Sequence, residues 1–105
     1  MFSIMVRFDF PDETAADAFD ALAADVVPGI REREPGTLLY LTHSVDGAPL
    51  SRAFFEIYGD RQAHAAHEAR PEVAAFLAAV ARLVTSTRVE YLIPDGPSEA
   101  AWTRH

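Results

Sequence analysis

Residues 51–58 (SRAFFEIY) place bulky apolar side chains at both strand parities: Phe54 and Tyr58 on one, Phe55 and Ile57 on the other. A strand turns successive side chains to opposite faces, so a sheet built on this segment must be covered on both sides. Residues 37–45 (TLLYLTHSV) share the property, with Leu38 and Tyr40 set against Leu39 and Leu41. Residues 2–10 are more one-sided: Phe2, Ile4, Val6, Phe8 and Phe10 alternate with Ser3, Met5, Arg7 and Asp9. Helices on one face of such a sheet leave the other face as a large exposed apolar patch. A second copy of the chain, docked sheet to sheet, is the expected cover.

The segments between these strands have helical spacing. Pro11, Asp12, Glu13 and Thr14 break the first strand and open a helix, with acids suited to its N-terminal dipole. Phe19, Leu22, Ala23, Val26 and Val27 form its apolar face, and Pro28-Gly29 is expected to end it. Arg31 to Glu34 reads as a charged connection, and Pro35-Gly36 as a turn. Asp46-Gly47 joins two strands into a hairpin, and Asp60 is placed to cap a helix over residues 61–69. Pro71 suits the first turn of a further helix, whose stripe is Val73, Phe76, Leu77, Val80, Leu83 and Val84. Residues 85–93 (TSTRVEYLI) read as the last strand. The order is β-α-β-β-α-β, an α+β, ferredoxin-like pattern with one antiparallel sheet. Residues 1–94 form the expected domain and 95–105 a tail, with Trp102 anchoring on a partner or lying loose.

Bulk properties exclude several function classes. A net charge of −7 opposes nucleic acid or an anionic membrane as the main partner. Without cysteine there is no disulfide, thiolate nucleophile or zinc–thiolate site. All nine basic residues are arginine, which removes Schiff-base and P-loop lysine chemistry. The first ten residues have neither a basic leader nor a long apolar run, so no signal peptide or membrane span is expected, and a cytoplasmic location is. No Gly-x-Ser-x-Gly elbow or Gly-rich dinucleotide fingerprint occurs.

Glu34-Pro35-Gly36-Thr37-Leu38 before a strand, then Phe55-Glu56-Ile57-Tyr58, Ala66-His67, Pro71-Glu72-Val73 and Phe76-Leu77, resemble the antibiotic biosynthesis monooxygenase family, including its quinol monooxygenases. The resemblance covers residues 1–93. It implies a dimeric α/β barrel of ferredoxin-like protomers, each with a pocket between sheet and helices. It also implies oxidation of hydroxy-aromatics or quinols by dioxygen with no metal or flavin, although relatives on this scaffold include haem-degrading enzymes, lyases, isomerases and proteins without known activity. Haem-degrading relatives carry an asparagine in the first strand, a tryptophan where His67 falls and an iron-ligating histidine further along. This chain has Met5 or Arg7, His67, and Ala78 or Ala79 there, which counts against haem.

By this resemblance His67 and Glu56 are the candidate catalytic pair. An imidazole titrates near neutrality and suits removal of a phenolic proton. Glu56, a strand acid between Phe55 and Ile57, is expected to orient it; a structural ion pair to an arginine is the alternative. Tyr58, Tyr40, Arg7, His43 and Phe76 are the expected substrate contacts. His64 shares a helix side with His67, but this pair with Glu56 or Glu68 falls short of a recognisable metal motif, and a solvated helix face is the expectation for His64. The expected function is a cofactor-independent monooxygenase acting on a phenolic, quinol or polyketide-like aromatic. A lyase or isomerase using the same base without dioxygen is the alternative, and a non-catalytic small-molecule-binding or stress-response module is the third reading.

Overall fold

A computed structural model describes residues 1–102 of the chain, with the side chain of Trp102 outside that description. Four strands, β1 (Phe2–Asp9), β2 (Thr37–Val45), β3 (Ala48–Tyr58) and β4 (Ser86–Leu92), form one sheet in the order β2-β3-β1-β4. All neighbouring strands are antiparallel. Helices α1 (Glu13–Arg33), α2 (Arg61–Ala69) and α3 (Pro71–Ala81) complete the βαββαβ order, and a short α4 (Gly96–Trp102) follows. The tail is therefore partly helical, and the expected role of Trp102 lies outside the described residues. No helix among them is long and apolar enough to cross a membrane.

The core lies between the sheet and α1 and α3. Phe19 of α1 is its centre, with the rings of Phe8 and Phe10 at 4.9 Å, Phe54 at 5.4 Å and Phe76 at 5.9 Å. Ala16, Ala23, Val26 and Ile30 extend the buried stripe along α1, and Val73 and Val80 along α3. The expected Asp60 cap forms, accepting from Ala63 N–H, and Asp12 caps α1 in the same way, accepting from Ala15 N–H. Pro71 sits in the first turn of α3, where its missing N–H is not needed.

The first helix differs from expectation. It does not stop at Pro28-Gly29 but continues to Arg33, and Arg31–Arg33 form its last turn rather than a connection. Proline removes the bond that its N–H would have given to the Ala24 carbonyl. Ala24 and Pro28 are both exposed, so water can satisfy that carbonyl. Beyond the proline, Ile30 is buried to 1 % exposure, which keeps the extra turn and a half on the core.

Strand parity divides the sheet. Phe2, Ile4, Val6 and Phe8 face the helices with their partners Tyr58, Glu56, Phe54 and Arg52. On the opposite face Met5, Phe55 and Leu41 stand in register across three strands, beside a second row of Ser3, Ile57 and Leu39. Met5 and Leu41 are each about half exposed, at 48 % and 49 %. β4 is exposed along nearly its whole length, so the helical layer stops short of that edge.

Candidate active site

A cavity of about 110 Å³ lies where the helical layer thins, between β1, β3 and β4 below and α2 and α3 above. Ile4, Val6, Phe8, Phe54 and Phe76 give it apolar walls. Its polar groups are Tyr40, Glu56, His64, His67, Glu68 and Thr87. Leu77, Val89 and Tyr91 are lining residues that also reach solvent, so they mark its mouth on the β4 side.

His67 is 4 % exposed and is held from behind. Its Nδ1–H donates to Glu34 Oε1 at 2.7 Å. The same carboxylate accepts from Thr37 Oγ1 at 2.7 Å and from Arg70 at 2.5 Å. Burial works to raise the Glu34 pKa, but the bonds from Thr37, Arg70 and His67 prevail and hold it below the ordinary carboxylate value. An ionised carboxylate only accepts, so the proton on this bond belongs to Nδ1 and the neutral ring keeps its lone pair on Nε2. Nε2 has no protein hydrogen-bond partner among the described residues. The carboxylate bonded to His67 is therefore Glu34 and not Glu56.

Glu34 enters the site because α1 runs past Pro28. Its backbone N–H closes the helix on the Ile30 carbonyl at 3.1 Å, and the following turn leads into β2. An acid at a helix C-terminus opposes the helix dipole, so Glu34 needs the Arg70 guanidinium and Thr37 hydroxyl to be tolerated. Gly36 fixes the approach of α2. A Cβ there would lie 2.7 Å from the Ala63 Cβ, and its carbonyl accepts from Gly59 N–H at 2.9 Å. Gly36→Ala is expected to destabilise the fold by about 1–3 kcal/mol through overpacking. Because the clash lies between Glu34 and the first turn of α2, it should also displace the imidazole. A urea titration reads the first effect, and the His67 ring ¹⁵N shifts read the second.

Glu56 stands on the cavity floor, opposite Tyr40 on one side and Ile4 on the other. Tyr58 O–H donates to its Oε1 at 2.5 Å. Burial pushes its pKa up to about 7, with the Tyr58 bond opposing and Glu68 and Glu34 reinforcing the rise. Burial also pushes the Tyr40 and Tyr58 hydroxyls up, so both stay neutral donors. The His67 ring lies 5.5 Å from that of Tyr40 and 5.4 Å from that of Tyr58, above the two residues that flank Glu56.

The cavity thus gathers His67, Glu56, Tyr40 and Phe76, with Tyr58 beneath it as the donor to Glu56. Arg7 and His43 are not brought there. Arg7 points to the opposite face of the sheet, where it bonds Asp9 and Ser51. His43 is exposed on β2 and gives its Nδ1–H to the Ala53 carbonyl at 2.9 Å. Odd parity on β1 and the edge position of β2 account for both displacements. His64 departs from the expected solvated face: its ring packs 5.0 Å from Tyr58 and 5.7 Å from Phe2, and burial lowers its pKa. Among the described residues no group of three or more histidine, cysteine or acidic side chains is arranged to hold a metal ion.

A ferredoxin-like fold with a carboxylate-held imidazole at a largely apolar cavity defines a small α+β protein. The chain belongs to the antibiotic biosynthesis monooxygenase family, whose model matches residues 1–88. Solved structures agree in fold. A protein from Deinococcus radiodurans, provisionally described as an antibiotic biosynthesis monooxygenase, is 22% identical with a TM-score of 0.80, over 90% of this chain and 93% of that one. The Rv0793 protein of Mycobacterium tuberculosis is 29% identical with a TM-score of 0.77, over 89% of this chain and 93% of that one. No curated protein matches the chain.

Proposed function

We propose that the protein is a homodimeric monooxygenase that oxidises a hydroxy-aromatic with dioxygen, using no resident metal or flavin. The observation that carries this reading is the Glu34–His67 pair, which leaves an imidazole nitrogen without a partner among the described residues at a largely apolar cavity. Dioxygen reacts slowly with neutral closed-shell phenols, and a phenolate is a far better electron donor. His67 Nε2 takes the phenolic proton, and the resulting imidazolium is stabilised by Glu34. Arg70 balances the Glu34 charge, so the assembly as a whole turns positive towards the phenolate. The phenolate passes one electron to dioxygen, and the radical pair joins at a ring carbon that bears hydrogen. The resulting peroxide takes the proton back from His67 and loses water to leave a carbonyl. One oxygen atom ends in the product and one in water, with all four electrons drawn from the substrate.

The cavity volume narrows the substrate. At about 110 Å³ the cavity is smaller than the roughly 150 Å³ apolar cavity that takes one benzene ring, so it admits one ring at most, with further rings lying at the mouth against Val89 and Tyr91. Oxygen uptake by chelator-treated protein with one-ring and fused-ring hydroquinones is the direct test. Uptake by any of them that survives the chelator supports the reading, whereas anaerobic turnover of such compounds would replace it with a lyase or isomerase.

The dimer follows from the row Met5–Phe55–Leu41 on the helix-free face. A second copy covers this row and its neighbours Ile57 and Leu39. Sedimentation velocity is expected to give a dimer for the wild type and a monomer for Phe55→Glu. A monomeric wild type would remove this part of the proposal.

A further inference from the structure

The polar groups of the cavity are biased in charge. Glu56 is 6 % exposed; its Oε1 accepts from Tyr58, while its Oε2 accepts no hydrogen bond from any described residue. The second carboxylate, Glu68, sits at the rim with His64 as its neighbour at 3.6 Å. No arginine among the described residues lines the cavity. The nearest, Arg70, is engaged behind His67 by Glu34 and Glu72, and Arg61 lies over the Phe2 ring. A ligand therefore meets the Glu56 carboxylate, whose Oε2 opens to the cavity without a donor from the described residues, a second acid at the entrance, and the aromatic walls Tyr40, Phe54 and Phe76.

We infer that the cavity selects by ligand charge: it takes a ring carrying an ammonium group best, the neutral ring next, and turns away the same ring carrying a carboxylate. An ammonium group donates to the open Oε2 of Glu56 and supplies a countercharge that no arginine gives it, and aromatic faces favour a cation. A ligand carboxylate must shed its water and meets no arginine in return, while facing two like charges. The inference rests on the proposed function only in taking this cavity as the substrate site.

Three one-ring compounds of matched size separate the cases: 4-hydroxybenzylamine, 4-hydroxybenzyl alcohol and 4-hydroxybenzoate. Each is titrated without oxygen at pH 8, following the His67 ring ¹⁵N signals and the heat of binding. The amine is expected to bind on the order of tenfold tighter than the alcohol, and the benzoate at least about tenfold weaker than it. Glu56→Gln should compress this spread. Glu68→Gln, at an exposed position, should compress it in part and serves if the first variant does not fold. Benzoate binding as tightly as the alcohol overturns the inference, as does a spread unchanged in the folded variants, or the absence of any His67 response to all three compounds. Because turnover is not measured, the two proposals fail separately. Neutral rings that bind but are never oxidised would sink the monooxygenase reading alone. Tight binding and oxidation of the benzoate would sink the charge selection alone.

Discussion

Replacing His67 by Ala is expected to lower kcat/KM for oxygen-dependent turnover of a hydroxy-aromatic by about 10²–10⁴-fold, the range typical of a positioned general base. Glu34→Gln should show a related loss with a different signature. Glutamine keeps the shape of Glu34 and its acceptor oxygen, but it removes the charge that stabilises the imidazolium and leaves Arg70 with Glu72 as its remaining acid partner. The loss should therefore fall on kcat more than on KM, because the imidazolium formed on proton transfer loses the charge that stabilises it. To separate these contributions, the ring ¹⁵N shifts of His67 are titrated in both proteins. A Glu34→Gln variant with the wild-type His67 titration and wild-type kcat would remove Glu34 from the mechanism. Uptake that is indifferent to His67→Ala would leave an oxygenase without this base.

The second large effect concerns stability. Glu56 has a folded-state pKa of about 7, against an ordinary value of 4.5. Between these values the folded protein binds a proton that the unfolded chain has already released. Its contribution to stability is fully present below about pH 4.5 and is lost as pH rises through 7. At pH 8 the charged, buried carboxylate weakens the fold by something on the order of 2–3 kcal/mol relative to its protonated form. Glu56→Gln retains an acceptor for Tyr58 and carries no charge, so it should be more stable than the wild type at pH 8, with the advantage shrinking towards pH 5. Urea midpoints across this range measure the difference. Equal pH dependence in the two proteins would show that Glu56 ionises without penalty. Glu34 acts in the opposite sense: its lowered pKa supports the fold above the ordinary carboxylate range, and that support fades as acid protonates it.

Much of this architecture is legible in the residues themselves. The alternation of Phe2 to Phe10, the capping Asp60 and the helix-opening Pro71 each specify a local structure that the tertiary fold preserves. The mixed parity of residues 51–58 correctly marks a sheet with two apolar faces. Pro28 misleads because local chemistry opposes a helix there while the burial of Ile30 supports one, and burial prevails. That error hides Glu34. Read as part of a charged connection, it has no reason to meet His67; at the end of a helix ending against α2, it does. Its one local signal is the motif Glu34-Pro35-Gly36-Thr37, in which a hydroxyl three residues on can bond the carboxylate. The separation of Arg7 and His43 from the cavity depends on register across the sheet, which spacing along a single strand does not contain. His64 is misplaced on a solvated face because an isolated helix does not reveal that Phe2, Tyr58 and Tyr91 converge on its ring.

The alternation along β3 has a genetic consequence. Phe54, Glu56 and Tyr58 belong to the helix side, while Phe55 and Ile57 belong to the open face, so neighbouring codons answer to different selective demands. Ligand preference can drift at even positions while the helix-free surface stays constant, and that surface can be remodelled at odd positions without altering the chemistry. Point substitutions keep the two traits heritable apart. A single-codon deletion within residues 54–58 couples them at once, because it turns every side chain beyond it to the other face.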